Sequence, residues 1–170
     1  TKTSNQDRAF AFSEDRLKEY ITNAGLDCIA VTNHNLFDKP QFEHIRSCVE
    51  ILVLPGIEVD VEKCQILVLS DGHNLDDFDQ RCAEVSFKWN STKSTLPFDD
   101  FTRIFGDLNQ YILIPHYLKD PKISQDLLAK LASFITAGEV SSPKKFVSCI
   151  KDADTLVPVY FSDCRMSADL

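Results

Sequence analysis

Glycine is scarce in this 170-residue chain: only 5 occur, and neither a G-x-G-x-x-G nor a G-x-x-x-x-G-K-[ST] pattern is present. Such loops let backbone N–H groups approach a pyrophosphate, so a Rossmann or P-loop nucleotide site has no support within the chain. Six cysteines lie at 28, 48, 64, 82, 149 and 164, but none form a C-x-x-C pair, which argues against a structural zinc site of that kind. A chain this long has enough core residues to manage without disulfides, so buried, reduced thiols and a cytoplasmic location are expected. No apolar run approaches the roughly 20 residues of a membrane-spanning helix. Positive charge is also short: 18 Lys and Arg face 26 Asp and Glu, for a net charge of −8. Such a surface does not advertise non-specific phosphate contacts, although a bound metal would reverse the sign locally.

What remains is an ordinary globular composition, with 44% hydrophobic and 26% charged residues. It suits one domain with a real core, spanning residues 1–170. There is no initiator Met, and Met166 to Leu170 follow a strand-like run without closing anything. The expectation is a fragment of a larger protein.

Hydrophobic periodicity gives an alternation of helices and strands. Ser13 caps a helix whose stripe is Leu17, Tyr20, Ile21 and Ala24, and Gly25 ends it. The run Cys28–Thr32 reads as a strand buried on both faces. A helix over Pro40–Val49 follows, then strands at Ile51–Leu54 and Ile57–Val61 with Pro55-Gly56 between them. Ile66–Leu69 is a further strand, Leu75–Val85 a helix, and Phe87–Pro97 a loop. Phe98–Phe105 is a short helix, Tyr111–Ile114 a strand, Ser124–Ser133 a helix, Phe134–Val140 a strand, Pro143–Ile150 a helix and Val157–Phe161 the last strand. This order predicts an α/β parallel sheet, open or closed into a barrel.

Four polar residues share one address on this map. His34, Glu58, His116 and Asp163 each follow or adjoin a predicted strand. In α/β folds the C-terminal ends of parallel strands converge on the active site. Two imidazoles and two carboxylates gathered there suit a divalent metal such as Zn²⁺, Mn²⁺ or Fe²⁺. His44 and His73 read as surface histidines, and Lys119, Lys122, Lys144 and Lys145 as solvated lysines able to flank a phosphate entry. Cys64 and Cys164 adjoin the proposed site but have no base partner, so they read as packing.

The segment Gly25-Leu26-Asp27-Cys28-Ile29-Ala30-Val31-Thr32-Asn33-His34-Asn35 resembles the G-L-D-x-I-A-[IV]-T-D-H-[ND] motif of the PHP (polymerase and histidinol phosphatase) superfamily. Leu54-Pro55-Gly56-Ile57-Glu58-Val59 is similar to its P-G-[IV]-E-[IV] motif. Ile112–His116 resembles I-x-A-H-P, Ala137–Val140 resembles D-G-[IV]-E-V, and Val159–Arg165 resembles the stretch around the closing G-S-D-A-H. The order and approximate spacing agree from Phe12 onward. This resemblance implies a distorted βα barrel, TIM-barrel-like, with up to three metals at its strand ends. It also implies metal-assisted hydrolysis of phosphate esters, nucleic acid included. Carried onto this chain, it makes His34, Glu58, His116 and Asp163 metal ligands, with Glu58 bridging.

Departures from the pattern bear on activity. The family opens with an H-x-H strand, but Thr1–Ala11 contains no His, so the barrel is expected to be incomplete at its N-terminal strand. Asn33 replaces the Asp of T-D-H, Gln65 stands where many members have a ligand His, and Arg165 stands at the last His of G-S-D-A-H. A guanidinium cannot bind a cation, but it can substitute a fixed charge for a lost metal or clamp a phosphate. The expectation is a site with fewer ions, in which Arg165 and His34 act on the substrate. The variant motifs look more like PHP domains fused to AAA- or SMC-like ATPases, the TrlF-like group linked to tRNA repair and phage defence, than like histidinol phosphatases. That implies an ATPase domain or subunit as partner. The rival expectation is an inactive PHP domain serving as a binding or assembly module.

Overall fold

The computed structural model describes residues 13–151 and 156–161. Helix α1 (Glu14–Ala24) begins where Ser13 Oγ accepts from the Arg16 N–H and ends on Gly25, whose φ of 61° is left-handed. It leads into strand β1 (Cys28–His34), then α2 (Lys39–Cys48), capped by Asp38, whose side chain accepts from the Gln41 N–H. Next come β2 (Leu52–Val61), β3 (Cys64–Leu69), α3 (Leu75–Thr92), α4 (Phe98–Phe105) and, after a 3-10 turn at Leu108–Gln110, β4 (Ile112–Leu118). The chain continues through α5 (Gln125–Leu131), β5 (Ala137–Val140), α6 (Pro143–Ile150) and β6 (Val157–Val159). Among the described residues no helix is long and apolar enough to cross a membrane.

The six strands form one sheet in the order β1-β2-β3-β4-β5-β6. The β1–β2, β4–β5 and β5–β6 pairs are parallel, while β3 is antiparallel to both neighbours. Strands β1, β2, β4 and β6 therefore share one direction, as expected. The reversal at β3 has a local cause: only Glu62 and Lys63 separate β2 from β3, and both take positive φ, 45° and 70°. A two-residue loop with both centres at positive φ is a hairpin turn, whereas a parallel return needs a crossover connection. The described residues thus form a mostly parallel α/β sheet, and among them no pairing joins β6 to β1.

Three expected boundaries are corrected. Pro55-Gly56 does not split two strands; it lies inside β2, where Pro55 pairs with Val31 and Gly56 with Thr32. A side chain is what the site refuses: a Cβ on Gly56 would lie 2.6 Å from Leu69 Cδ2 and 2.8 Å from Thr32 Cγ2. The loop expected at Phe87–Pro97 is helix as far as Thr92. Its apolar stripe is interrupted there, but the helix runs on until Lys93, whose left-handed φ of 51° ends it with its N–H donating to the Trp89 carbonyl. Strand β5 starts at Ala137, because Phe134 still belongs to the turn after α5, its N–H donating to the Leu131 carbonyl.

Alternation along the strands gives the sheet two unlike faces. Ile57, Val59 and Val61 of β2 join Ile66 and Val68 of β3 in the main core, with Leu17, Ile21, Phe42, Ile45, Phe78 and Phe101 from the helices. Among the described residues the other face carries a small apolar cluster, Leu67, Leu69 and Ile114 with Leu54 and Val159. Beside that cluster runs a row of polar side chains.

Candidate functional site

The row follows from strand pairing. Along β2, Glu58 and Asp60 alternate with core-facing Ile57, Val59 and Val61, so both carboxylates leave the core on the same side. Register places His34 opposite Glu58, Asp60 opposite Gln65, and His116 opposite Glu139. Glu58, His116 and Glu139 are all buried, His116 to 1% exposure.

Two clusters make up the row. In the first, His116 Nε2 lies 3.3 Å from Glu58 Oε1 and 3.4 Å from Glu139 Oε2. Neither ring nitrogen of His116, nor Glu139 Oε2, makes a hydrogen bond among the described residues. Buried polar atoms without partners are costly, and in native proteins they usually mark an ion, a water or a catalytic role. The other oxygen of Glu139 accepts from Lys119 Nζ at 2.7 Å. Lys119, expected as a solvated lysine, is instead largely buried and brings a positive charge to this cluster.

The second cluster surrounds His34. Its Nε2 lies 2.8 Å from Asp60 Oδ2. Asp60 also accepts from Asn35 Nδ2 at 2.7 Å and from Gln65 Nε2 at 3.0 Å, while its backbone N–H donates to Asn35 Oδ1. Both amides crowd the same imidazole nitrogen, Gln65 at 3.0 Å and Asn35 at 3.2 Å. Burial by itself would push the Asp60 carboxyl upward, but the hydrogen bonds from His34, Asn35 and Gln65 and the His34 charge together hold it below its ordinary value. Trp89, from the extended end of α3, meets the His34 ring edge to face, the ring centres 6.2 Å apart.

A divalent ion fits the first cluster in donor type: one imidazole nitrogen and two carboxylate oxygens. Tetrahedral binding at about 2.0–2.1 Å spaces ligand atoms about 3.3–3.4 Å apart, which matches both edges that meet at His116. The three ligand atoms do not all come within 4.8 Å of one another, so closing on a single ion takes a turn of one carboxylate. The second cluster is different, because Asp60 already engages the His34 nitrogen that faces it.

Of the residues singled out from sequence, His34, Glu58 and His116 therefore lie on one sheet face, with His34 and Glu58 direct neighbours. Asp163 and Arg165 lie outside the described residues, as does Cys164. Cys64 is buried on the core face, its thiol donating to the Gln65 carbonyl at 3.1 Å, and burial pushes it up to about 12. Lys145 donates to the Leu118 carbonyl, and His73 stays at the surface beside Asp71. Asp60 and Glu139 were not among the expected site residues. The signal for Asp60 was the polar-apolar alternation Glu58-Val59-Asp60-Val61. Glu139 sat inside the Ala137–Val140 motif but had no ligand role there.

No protein-family model matches the chain, and no curated protein does. Among solved structures it is similar to a candidate metal-dependent phosphoesterase from Bifidobacterium adolescentis, with a TM-score of 0.55 and 13% identity over 92% of this chain and 83% of that one. At that identity the likeness shows a shared fold.

Proposed function

We propose that this chain is a metal-dependent phosphoesterase domain of the PHP type, hydrolysing phosphate esters on the polar face of its sheet. The observation that carries the proposal is the buried set of Glu58, His116 and Glu139: both carboxylates stand at ligand spacing from His116 Nε2, and neither that nitrogen nor Glu139 Oε2 makes a hydrogen bond among the described residues. An ion held by these three, with Asp163 as a further ligand, would supply a Lewis acid and an activated water. The likeness to a candidate metal-dependent phosphoesterase supports the same chemistry.

The chain's own residues divide the remaining work. Asp60, Asn35 and Gln65 gather on Nε2 of His34, so His34 acts here as an imidazole held beside Glu58 by its neighbours and not as a ligand. Lys119 offsets the charge of Glu139 before any substrate arrives. Gln65, in place of a ligand imidazole, ties Asp60 and His34 together, which fits a site with fewer ions than the full family pattern. Arg165 is the proposed phosphate clamp. Nucleic acid as substrate, an ATPase domain or subunit as partner, and a place in tRNA repair or phage defence extend this proposal from the motif variants alone.

A second reading, an inactive binding or assembly module, is favoured by one observation: Asp60 and Gln65 already engage His34 Nε2. Hydrolysis of p-nitrophenyl phosphate and bis-p-nitrophenyl phosphate with added Mn²⁺ or Zn²⁺ separates the two. Ion-stimulated turnover that disappears in Glu58→Gln supports the enzyme. Folded, ion-loaded protein that turns over neither ester supports the module.

A further inference from the structure

A second group of ligand-type side chains lies in the helical layer, away from the polar row. Glu14 is the first residue of α1, while His44 and Cys48 stand one turn apart near the end of α2. Residues four apart share a helix face, and the buried Ile45 beside His44 fixes how that face is presented. His44 Nε2 lies 3.1 Å from Glu14 Oε1, and Cys48 Sγ lies 4.0 Å from both ring nitrogens of His44. The three ligand atoms all lie within 4.8 Å of one another, and among the described residues no other such group of His, Cys and carboxylate is found. Glu14 turns its second oxygen toward Lys18 at 3.9 Å, which leaves Oε1 directed at the histidine.

We propose that Glu14, His44 and Cys48 form a transition-metal site of the zinc class, with three protein ligands and a fourth position for water. The donor set decides the ion: a thiolate and an imidazole favour Zn²⁺ or Co²⁺, whereas Mg²⁺ and Mn²⁺ prefer oxygen. A tetrahedral ion with a metal–sulfur bond of about 2.3 Å and metal–nitrogen and metal–oxygen bonds of about 2.0–2.1 Å spaces sulfur and nitrogen about 3.6 Å apart, and nitrogen and oxygen about 3.3 Å apart. The observed 4.0 and 3.1 Å differ from these by a few tenths of an ångström, and these partly exposed side chains can close that gap by small rotations. On binding, the Cys48 thiol releases its proton to solvent and becomes the thiolate ligand, so affinity falls as pH is lowered. The ion would join the first turn of α1 to the last turn of α2. No residue is shared with the phosphoesterase site, so the two proposals stand or fall separately.

Cobalt titration of the full, reduced chain tests the site, because only a thiolate ligand gives near-ultraviolet sulfur-to-cobalt charge transfer. The expected result is a band that saturates at one equivalent and is lost when Zn²⁺ is added. It should be absent in Cys48→Ser and in His44→Ala, should need roughly tenfold more cobalt in Glu14→Gln, and should persist in Glu58→Gln. Circular dichroism of each variant establishes that it is folded. A band that survives Cys48→Ser belongs to another thiol and overturns the proposal. So does its absence from folded wild-type protein.

Discussion

Lys119 Nζ donates to Glu139 Oε1 at 2.7 Å, and the pair is nearly closed off from solvent, the two side chains being 18% and 3% exposed. Removing one partner of such a pair leaves a buried charge uncompensated and typically costs about 3–5 kcal/mol. Lys119→Met should therefore lower the urea midpoint sharply. Part of the loss should return with a divalent ion, since the ion replaces the missing positive charge. A variant as stable as wild type without ions would show that Glu139 is neutral or solvated in the folded protein.

Asp60 sets an acid limit on stability. Its carboxyl is held below the ordinary 3.8 in the folded state, where burial is outweighed by hydrogen bonds from His34, Asn35 and Gln65. A depressed folded value contributes stability that is present above about pH 4 and is lost as pH falls through the folded value. Asp60→Asn should flatten the dependence of unfolding free energy on pH below 4, by up to about 1.4 kcal/mol per pH unit. Equal acid slopes in the two proteins would count against the hydrogen-bonded carboxylate.

Gly56 occupies a strand position that leaves no room for a methyl group. An added Cβ would lie 2.6 Å from Leu69 Cδ2 and 2.8 Å from Thr32 Cγ2, one from each neighbouring strand. Overpacking of this kind typically costs about 1–3 kcal/mol. Gly56→Ala should lose stability in that range by chemical denaturation, and Leu69→Ala in the same chain should recover part of it. Strict additivity of the two changes would show that they do not meet.

The alternation of helices and strands was legible in the chain because each helix carries its own stripe and cap, from Ser13 and Gly25 onward. The shared direction of β1, β2, β4 and β6 followed from it. What the sequence hid was tertiary. Pro55-Gly56 carries a turn signal, yet the glycine is there for close approach inside β2. The hairpin at Glu62-Lys63 has no glycine or asparagine to announce its positive φ angles. His34, Glu58 and His116 stood out as polar residues at strand ends, but the partition of the row depends on register. Asp60 reaches His34 across β1 and β2, and Glu139 reaches His116 across β4 and β5. Neither pairing is visible from spacing along the chain.

Glu58 and Glu139 flank one imidazole in a buried site, and in the absence of an ion only Glu139 has a lysine partner among the described residues. Two facing carboxylates repel, and their desolvation adds to the cost. Glu58→Gln removes one charge and keeps the shape, so without metal it should raise the thermal midpoint or leave it unchanged. With metal the order should reverse. Mn²⁺ is the informative ion, because it favours the oxygen and nitrogen donors of this site over the thiolate of Cys48. At about one hundred times its dissociation constant, an ion bound only to the folded state stabilises by about 2.7 kcal/mol. Wild type should therefore gain several degrees with Mn²⁺, and Glu58→Gln little or nothing. Equal gains in the two proteins would place the ion elsewhere, and the phosphoesterase proposal would lose the observation that carries it.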